Sequence, residues 1–185
     1  MATKPLKDYA KRGPFDDIDT PDSATRYLLP ALRHLGEPII WESAPPRDRT
    51  STLVMTLRSY GFRTIEYRGE DYFGDELRTR THYDVQVTNP PYSLKQQWVA
   101  RAMELGKPWA LLLPITALGV RKGSLNIHLA KCQILLPPRR IDYTGKRSPW
   151  FYSAWYTYGF HLPTESSLVP VDDDGCWDKL GLDKV

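Results

Sequence analysis

Asn89-Pro90-Pro91-Tyr92 ends an apolar run, YDVQVT, that otherwise reads as a buried strand. Neither proline can donate to a sheet ladder, so the strand must stop there. The asparagine amide carries one acceptor oxygen and two N–H donors. The prolines leave carbonyls that no ladder uses, and the tyrosine adds a flat face for stacking. Acceptor oxygens and a ring at one strand tip suit a planar group bearing an NH2. The structural alternative is a plain strand terminator, with Tyr92 packed inward.

Other chemistry has less support. Cys132 and Cys176 are far apart, and neither belongs to a cluster of Cys and His residues that could complete a metal site. His34, His82, His128 and His161 are scattered, outside any HExxH or HxE pattern. Neither a disulfide nor a metal centre is expected. A net charge of +3 is only mildly basic, but the cations come in pairs: Arg121-Lys122, Arg139-Arg140 and Lys146-Arg147. Loop-borne pairs of this kind suit a phosphate backbone, and a solvated surface is the alternative.

These residues must be positioned by 185 residues, enough for one domain with a sizeable core. TPDSATRYLLPALRHLG reads as a helix with Thr20 as N-cap, a kink at Pro30 and Gly36 at its end. PIIWES reads as a strand, TSTLVMTLRSYG as a helix capped by Thr50 or Ser51, and FRTIEY and YDVQVTN as further strands. After the elbow, Ser93 and Gln96 form a capping-box pattern ahead of a helix ending at Gly106, and WALLLP is a fully apolar strand. The alternation predicts an α/β fold, with a mostly parallel sheet covered by helices on both faces. CQILLPPRRIDY and SPWFYSAWYTYGFHL add two aromatic-rich strands, expected as an antiparallel edge hairpin. The expected organisation is an arm over 1–18, the domain over 19–163 and an acidic tail over 164–185.

From about Thr20 to Phe160 the chain resembles S-adenosylmethionine-dependent amino-methyltransferases, most closely small phage-like or bacterial adenine-N6 DNA methyltransferases. The likeness rests on the Asn-Pro-Pro-Tyr strand end, DTPDSA, IIWESA, GEDYF, LLLP and SPWFYSAWYTYGF. It implies a Rossmann-like fold. It also implies target contacts by Asn89, Pro90 and Tyr92, and cofactor contacts by Thr20, Glu42, Ala44, Glu66, Asp71 and Phe73. Phosphate contacts are expected from Arg121, Lys122, Arg139, Arg140, Lys146 and Arg147. The implied reaction is methyl transfer to the exocyclic amine of adenine flipped out of DNA. RNA or a protein amide are the alternative targets, and a monomer or homodimer is expected.

The chain departs from the family after Glu42. Where the family carries small residues and glycines, this chain has Pro45-Pro46-Arg47. The alternative reading is therefore a catalytically degenerate relative that binds nucleic acid or a host protein without transferring methyl groups. No apolar run reaches the ~20 residues of a membrane span, and no secretory-type apolar segment opens the chain. A cytoplasmic protein is expected.

Overall fold

The computed structural model describes residues 18–46, 49–66, 72–74, 82–119, 125–145 and 151–171. Their seven strands are β1 (Ile39–Glu42), β2 (Arg63–Glu66), β3 (Val85–Thr88), β4 (Trp109–Pro114), β5 (Gln133–Leu136), β6 (Ser153–Tyr158) and β7 (Leu168–Pro170). They form one sheet in the order β2-β1-β3-β4-β6-β5-β7. β2, β1, β3 and β4 are parallel, whereas β6 is antiparallel to both of its neighbours. The antiparallel pair β5–β6 is present, but it is not the edge. β7, within the stretch expected as tail, pairs parallel with β5 and closes that side.

Among the described residues, five α-helices accompany the sheet: α1 (Asp22–Arg26), α2 (Leu29–His34), α3 (Thr52–Ser59), α4 (Lys95–Leu105) and α5 (Leu125–Leu129). The first predicted helix is split. Pro30 lacks an N–H and its ring crowds the carbonyl four residues earlier, so the break falls at Tyr27–Leu28 and Pro30 enters the first turn of α2. Pro21, not Thr20, holds the N-cap position of α1. α3 starts as expected, with the Ser51 hydroxyl accepting from the Val54 N–H at 3.1 Å. α4 starts later than the capping-box pattern implies. A 3-10 turn, Tyr92–Leu94, comes first and Leu94 takes the N-cap position.

Alternation along the strands divides the core. Ala110, Leu112 and Trp155 pack with Leu28, Leu32, Leu53 and Leu57 from α1–α3 and the turn between them. Trp109, Leu111, Leu113 and Tyr156 face Val99 and Ala102 of α4 and Leu125 and Leu129 of α5. Helices therefore cover both faces, a Rossmann-like three-layer arrangement in which ligands bind beyond the carboxyl ends of the parallel strands. β1, β2 and β3 end there in Glu42, Glu66 and Thr88. No described helix is long and apolar enough to cross a membrane.

Candidate active site

All four residues of β3 are buried, and the strand stops at the predicted elbow. Pro90 and Pro91 are buried, whereas Asn89 and Tyr92 are half-buried. The Asn89 amide donates through Nδ2 to the Ile18 carbonyl at 3.4 Å. Its Oδ1 is buried and has no hydrogen-bond partner among the described residues. An orphaned buried acceptor costs about 1–3 kcal/mol. At a strand tip in this fold, that is an unfilled demand for an N–H donor.

Tyr92 stands in a polar and aromatic corner. Its hydroxyl lies 3.1 Å from the Tyr143 hydroxyl and 3.4 Å from Ser153 Oγ. Its ring meets Phe151 edge-on at 5.8 Å, and Phe151 stacks on Tyr143 at 5.7 Å. Burial pushes the Tyr92 phenol up and the Tyr143 phenol well up, so both stay neutral near pH 7 and neither is suited to remove a proton. Tyr143 and Ser153 belong to this corner through β6 and the loop after β5. Their tertiary position shows it; neither was singled out in the sequence, although Ser153 lies within SPWFYSAWYTYGF.

Across the tips of β1 and β2 lie three carboxyl groups. The β1–β2 register sets Glu42 directly beside Glu66. Glu42 is 3% exposed. Its Oε1 accepts from the Ala44 N–H at 3.0 Å and from the Thr88 hydroxyl. Burial pushes its pKa up to about 8 against those two hydrogen bonds, and the charges of Glu66 and Asp19 push the same way. Glu66 accepts from the Ser51 N–H at 3.2 Å. Asp19 accepts from the N–H groups of Thr20 and Thr52 at 3.1 Å and from the Thr52 hydroxyl at 2.8 Å. Thr20 itself is buried. Asp19 was not singled out as a candidate in the sequence, although it opens the DTPDSA segment.

The loop after Glu42 is tied down by a second unforeseen residue. Gln86, 1% exposed on β3, donates through Nε2 to Ser43 Oγ at 2.8 Å and to the Tyr72 hydroxyl at 2.9 Å. Pro45 is buried and Ala44 half-buried. Tyr72 stacks on Trp98 at 3.7 Å with 6° between the ring planes, and Phe73 meets both rings edge-on. The Arg101 guanidinium holds the same segment by donating to the Gly74 carbonyl at 2.9 Å. Asp71 lies outside the described residues.

Arg139 and Arg140 are exposed in the loop after β5, at the same end of the sheet as Asn89. Arg121, Lys122, Lys146 and Arg147 lie outside the described residues. The geometry thus gathers Asn89, Pro90, Tyr92, Glu42, Ala44, Glu66 and Thr20 at or beside the strand ends. Phe73 sits against the Tyr72–Trp98 stack. Among the described residues, no group of three metal-ligating side chains converges as a metal site.

No family model and no curated protein matches the chain. Among solved structures, one similar chain belongs to a study described as "Structural basis underlying complex assembly and conformational transition of the type I R-M system". The match has a TM-score of 0.50 at 12% identity and covers 83% of this chain and 44% of that one. The chain therefore spans less than half the length of that neighbour. At such identity the likeness establishes a shared α/β, Rossmann-like fold.

Proposed function

We propose that this chain transfers a methyl group from S-adenosylmethionine to the exocyclic amine of adenine in DNA. The observation that carries the reading is the buried, unpartnered Oδ1 of Asn89 at the tip of β3, on an amide anchored to Ile18. An amine N–H is the donor that this acceptor lacks. Asn89 Oδ1 and the Pro90 carbonyl would accept from the target amine, holding it so that its lone pair faces the methyl donor. Half-buried Tyr92 would offer its ring to the base. Because the neighbouring phenols are held neutral, the amine's surplus proton would leave to water. Rate would come from orientation and fixed dipoles rather than from a strong base.

When bound, S-adenosylmethionine supplies an electrophilic methyl group on a sulfonium. The acid side fits a ligand that carries positive charge at both sulfur and ammonium. Three carboxyl groups converge there, and Glu42 is held neutral in part by its acidic neighbours. Thr20, Glu42, Ala44 and Glu66 would hold the cofactor, with Asp71 and Phe73 toward its adenine. Arg139 and Arg140, with Arg121, Lys122, Lys146 and Arg147, would meet DNA phosphates. The fold shared with a chain of a type I R-M system supports DNA as the target.

One observation favours a second reading. Tyr72 and Trp98 stack on each other with no gap between them, and Pro45 is buried in the loop that follows β1. A protein that keeps the fold to bind nucleic acid or a host protein, without cofactor, would show the same features.

Incubating the full chain with methyl-labelled S-adenosylmethionine and adenine-containing DNA tests the proposal, with RNA and protein extract as parallel arms. Label should enter DNA and should not enter when Asn89→Ala replaces the parent. Unchanged turnover in that variant removes the assignment. No calorimetric heat at millimolar S-adenosylmethionine selects the second reading.

A further inference from the structure

The opposite end of the sheet carries a feature that the proposed reaction does not use. A cavity of about 630 Å³ opens at the amino ends of β4 and β5 and the carboxyl end of β6. At a rise of about 3.3 Å per residue, the length of β4 separates it from the Asn89 end by roughly 17 Å. Its basic side chains are Lys107, Lys131 and His161, and no carboxylate is among its lining residues.

Two of the neutral polar wall groups, Gln133 and Thr157, are already engaged. Gln133 donates to the carbonyls of Leu162 and Thr164 at 3.0 and 3.3 Å and accepts from the Leu162 N–H at 2.8 Å. The Thr157 hydroxyl donates to the Gln133 carbonyl at 2.8 Å. These bonds lock the 162–164 loop into place around the cavity. Lys107 is held in one position, donating to the Tyr83 carbonyl and lying 4.3 Å from the Tyr83 ring centroid. Neither contact carries a negative charge, and no carboxylate among the described residues pairs with its cation. His161, at φ 51°, is the one non-glycine among the described residues in the left-handed region, and His34 Nε2 donates to its carbonyl at 3.2 Å. Such a conformation persists where surrounding structure enforces it.

We propose that this cavity binds a small phosphate-bearing molecule of nucleotide size. A fixed cation such as Lys107, with no carboxylate on the cavity wall, raises the local concentration of anions. Lysine is a point-charge ligand for phosphate oxygens. A volume in the range of small-molecule sites exceeds what one inorganic ion fills. The Tyr158 ring, on the wall and stacked on Trp109 at 5.7 Å, gives an attached ring a surface to lie on. A ligand there would not compete with a target held at Asn89.

Calorimetric titration of the full chain with inorganic pyrophosphate and with adenosine monophosphate, at low ionic strength, tests this. Both should bind at one site, and Lys131→Glu and His161→Gln should each weaken them fivefold or more. Lys131 and His161 are exposed, so these variants keep the fold where Lys107→Gln would disturb Tyr83. Asn89→Ala should leave the binding unchanged. Absence of binding, indifference to both Lys131→Glu and His161→Gln, or loss in Asn89→Ala overturns the proposal. So does displacement of pyrophosphate by a twelve-base single-stranded DNA, which would assign the cavity to a nucleic-acid surface.

Discussion

Replacing Glu42 by glutamine tests the electrostatics of the strand tips in one step. The carboxyl is 3% exposed, and burial, reinforced by Glu66 and Asp19, raises its pKa from 4.5 to about 8. Between those values the native state keeps a proton that the unfolded chain has released. Stability therefore falls as pH rises through that window, by ~1.4 kcal/mol per pH unit, and levels off above it. Below 4.5 both states are protonated and the penalty is absent. Glutamine keeps an acceptor oxygen for the Ala44 N–H and the Thr88 hydroxyl, and its amide nitrogen stands where the protonated oxygen was. The whole window amounts to ~5 kcal/mol. Structural relaxation and water entry around an ionised carboxylate reduce it, so we expect Glu42→Gln to be ~2–4 kcal/mol more stable than the parent at pH 9. At pH 4 the two should agree within ~0.5 kcal/mol. Urea unfolding followed by circular dichroism at the two pH values measures this. An equal gain at both, or a loss at pH 9, would mean that the native Glu42 pKa is not raised and that the reasoning fails.

The same proton should report on the cofactor: at pH 7, S-adenosylmethionine binding should release ~0.5–1 proton as Glu42 ionises against a cation, read from binding heats in buffers of different ionisation enthalpy. Heats that do not depend on the buffer would contradict it. Asn89→Ala should abolish methyl transfer yet change unfolding free energy by ~1 kcal/mol or less, because the lost acceptor is already unsatisfied and the lost donor makes one long bond, 3.4 Å, to the Ile18 carbonyl; a large destabilisation would make Asn89 a structural residue. Gly159→Ala should cost ~1–2 kcal/mol in chemical denaturation, since Gly159 sits at φ +73° and an added Cβ would come within 3.4 Å of Pro108. An unchanged denaturation midpoint would show that this turn relaxes freely.

Local pattern was a good guide wherever neighbours in sequence determine the outcome. β3 ends at the first proline because no other ladder geometry is open to it, and Ser51 caps α3 through a bond only three residues long. The unbroken apolar run WALLLP marked β4 as a central strand, whereas SAWYTY, expected in an edge hairpin, lies inside the sheet; each serves two cores. Signals failed where the partner is remote. Ser93 and Gln96 have capping-box spacing, yet the two prolines turn the chain so that a 3-10 turn intervenes. β7 is three residues long with one buried side chain, too short for a period to register. Asp19, Gln86, Tyr143 and Ser153 matter through contacts with residues 33 to 61 positions away, and no local pattern encodes those.

The two sides of the candidate site are joined by three residues ahead of α1. The Ile18 carbonyl takes the Asn89 Nδ2 proton and so commits the amide to one orientation, with Oδ1 left as the acceptor. The next residue, Asp19, takes two donors from Thr52 at the start of α3 and contributes to keeping Glu42 neutral. Thr20 follows, buried, with its N–H on the Asp19 carboxylate. An asparagine without the first contact could turn its amide and present a donor, which would repel an amine. An acid cluster without the second would lose part of the repulsion that a cation relieves. Correct docking of residues 18–20 therefore sets the hydrogen-bond polarity on one side and the charge on the other. A substitution that dislodges this tripeptide, such as Asp19→Ala, should disturb both sides at once although it touches neither Asn89 nor Glu42 directly.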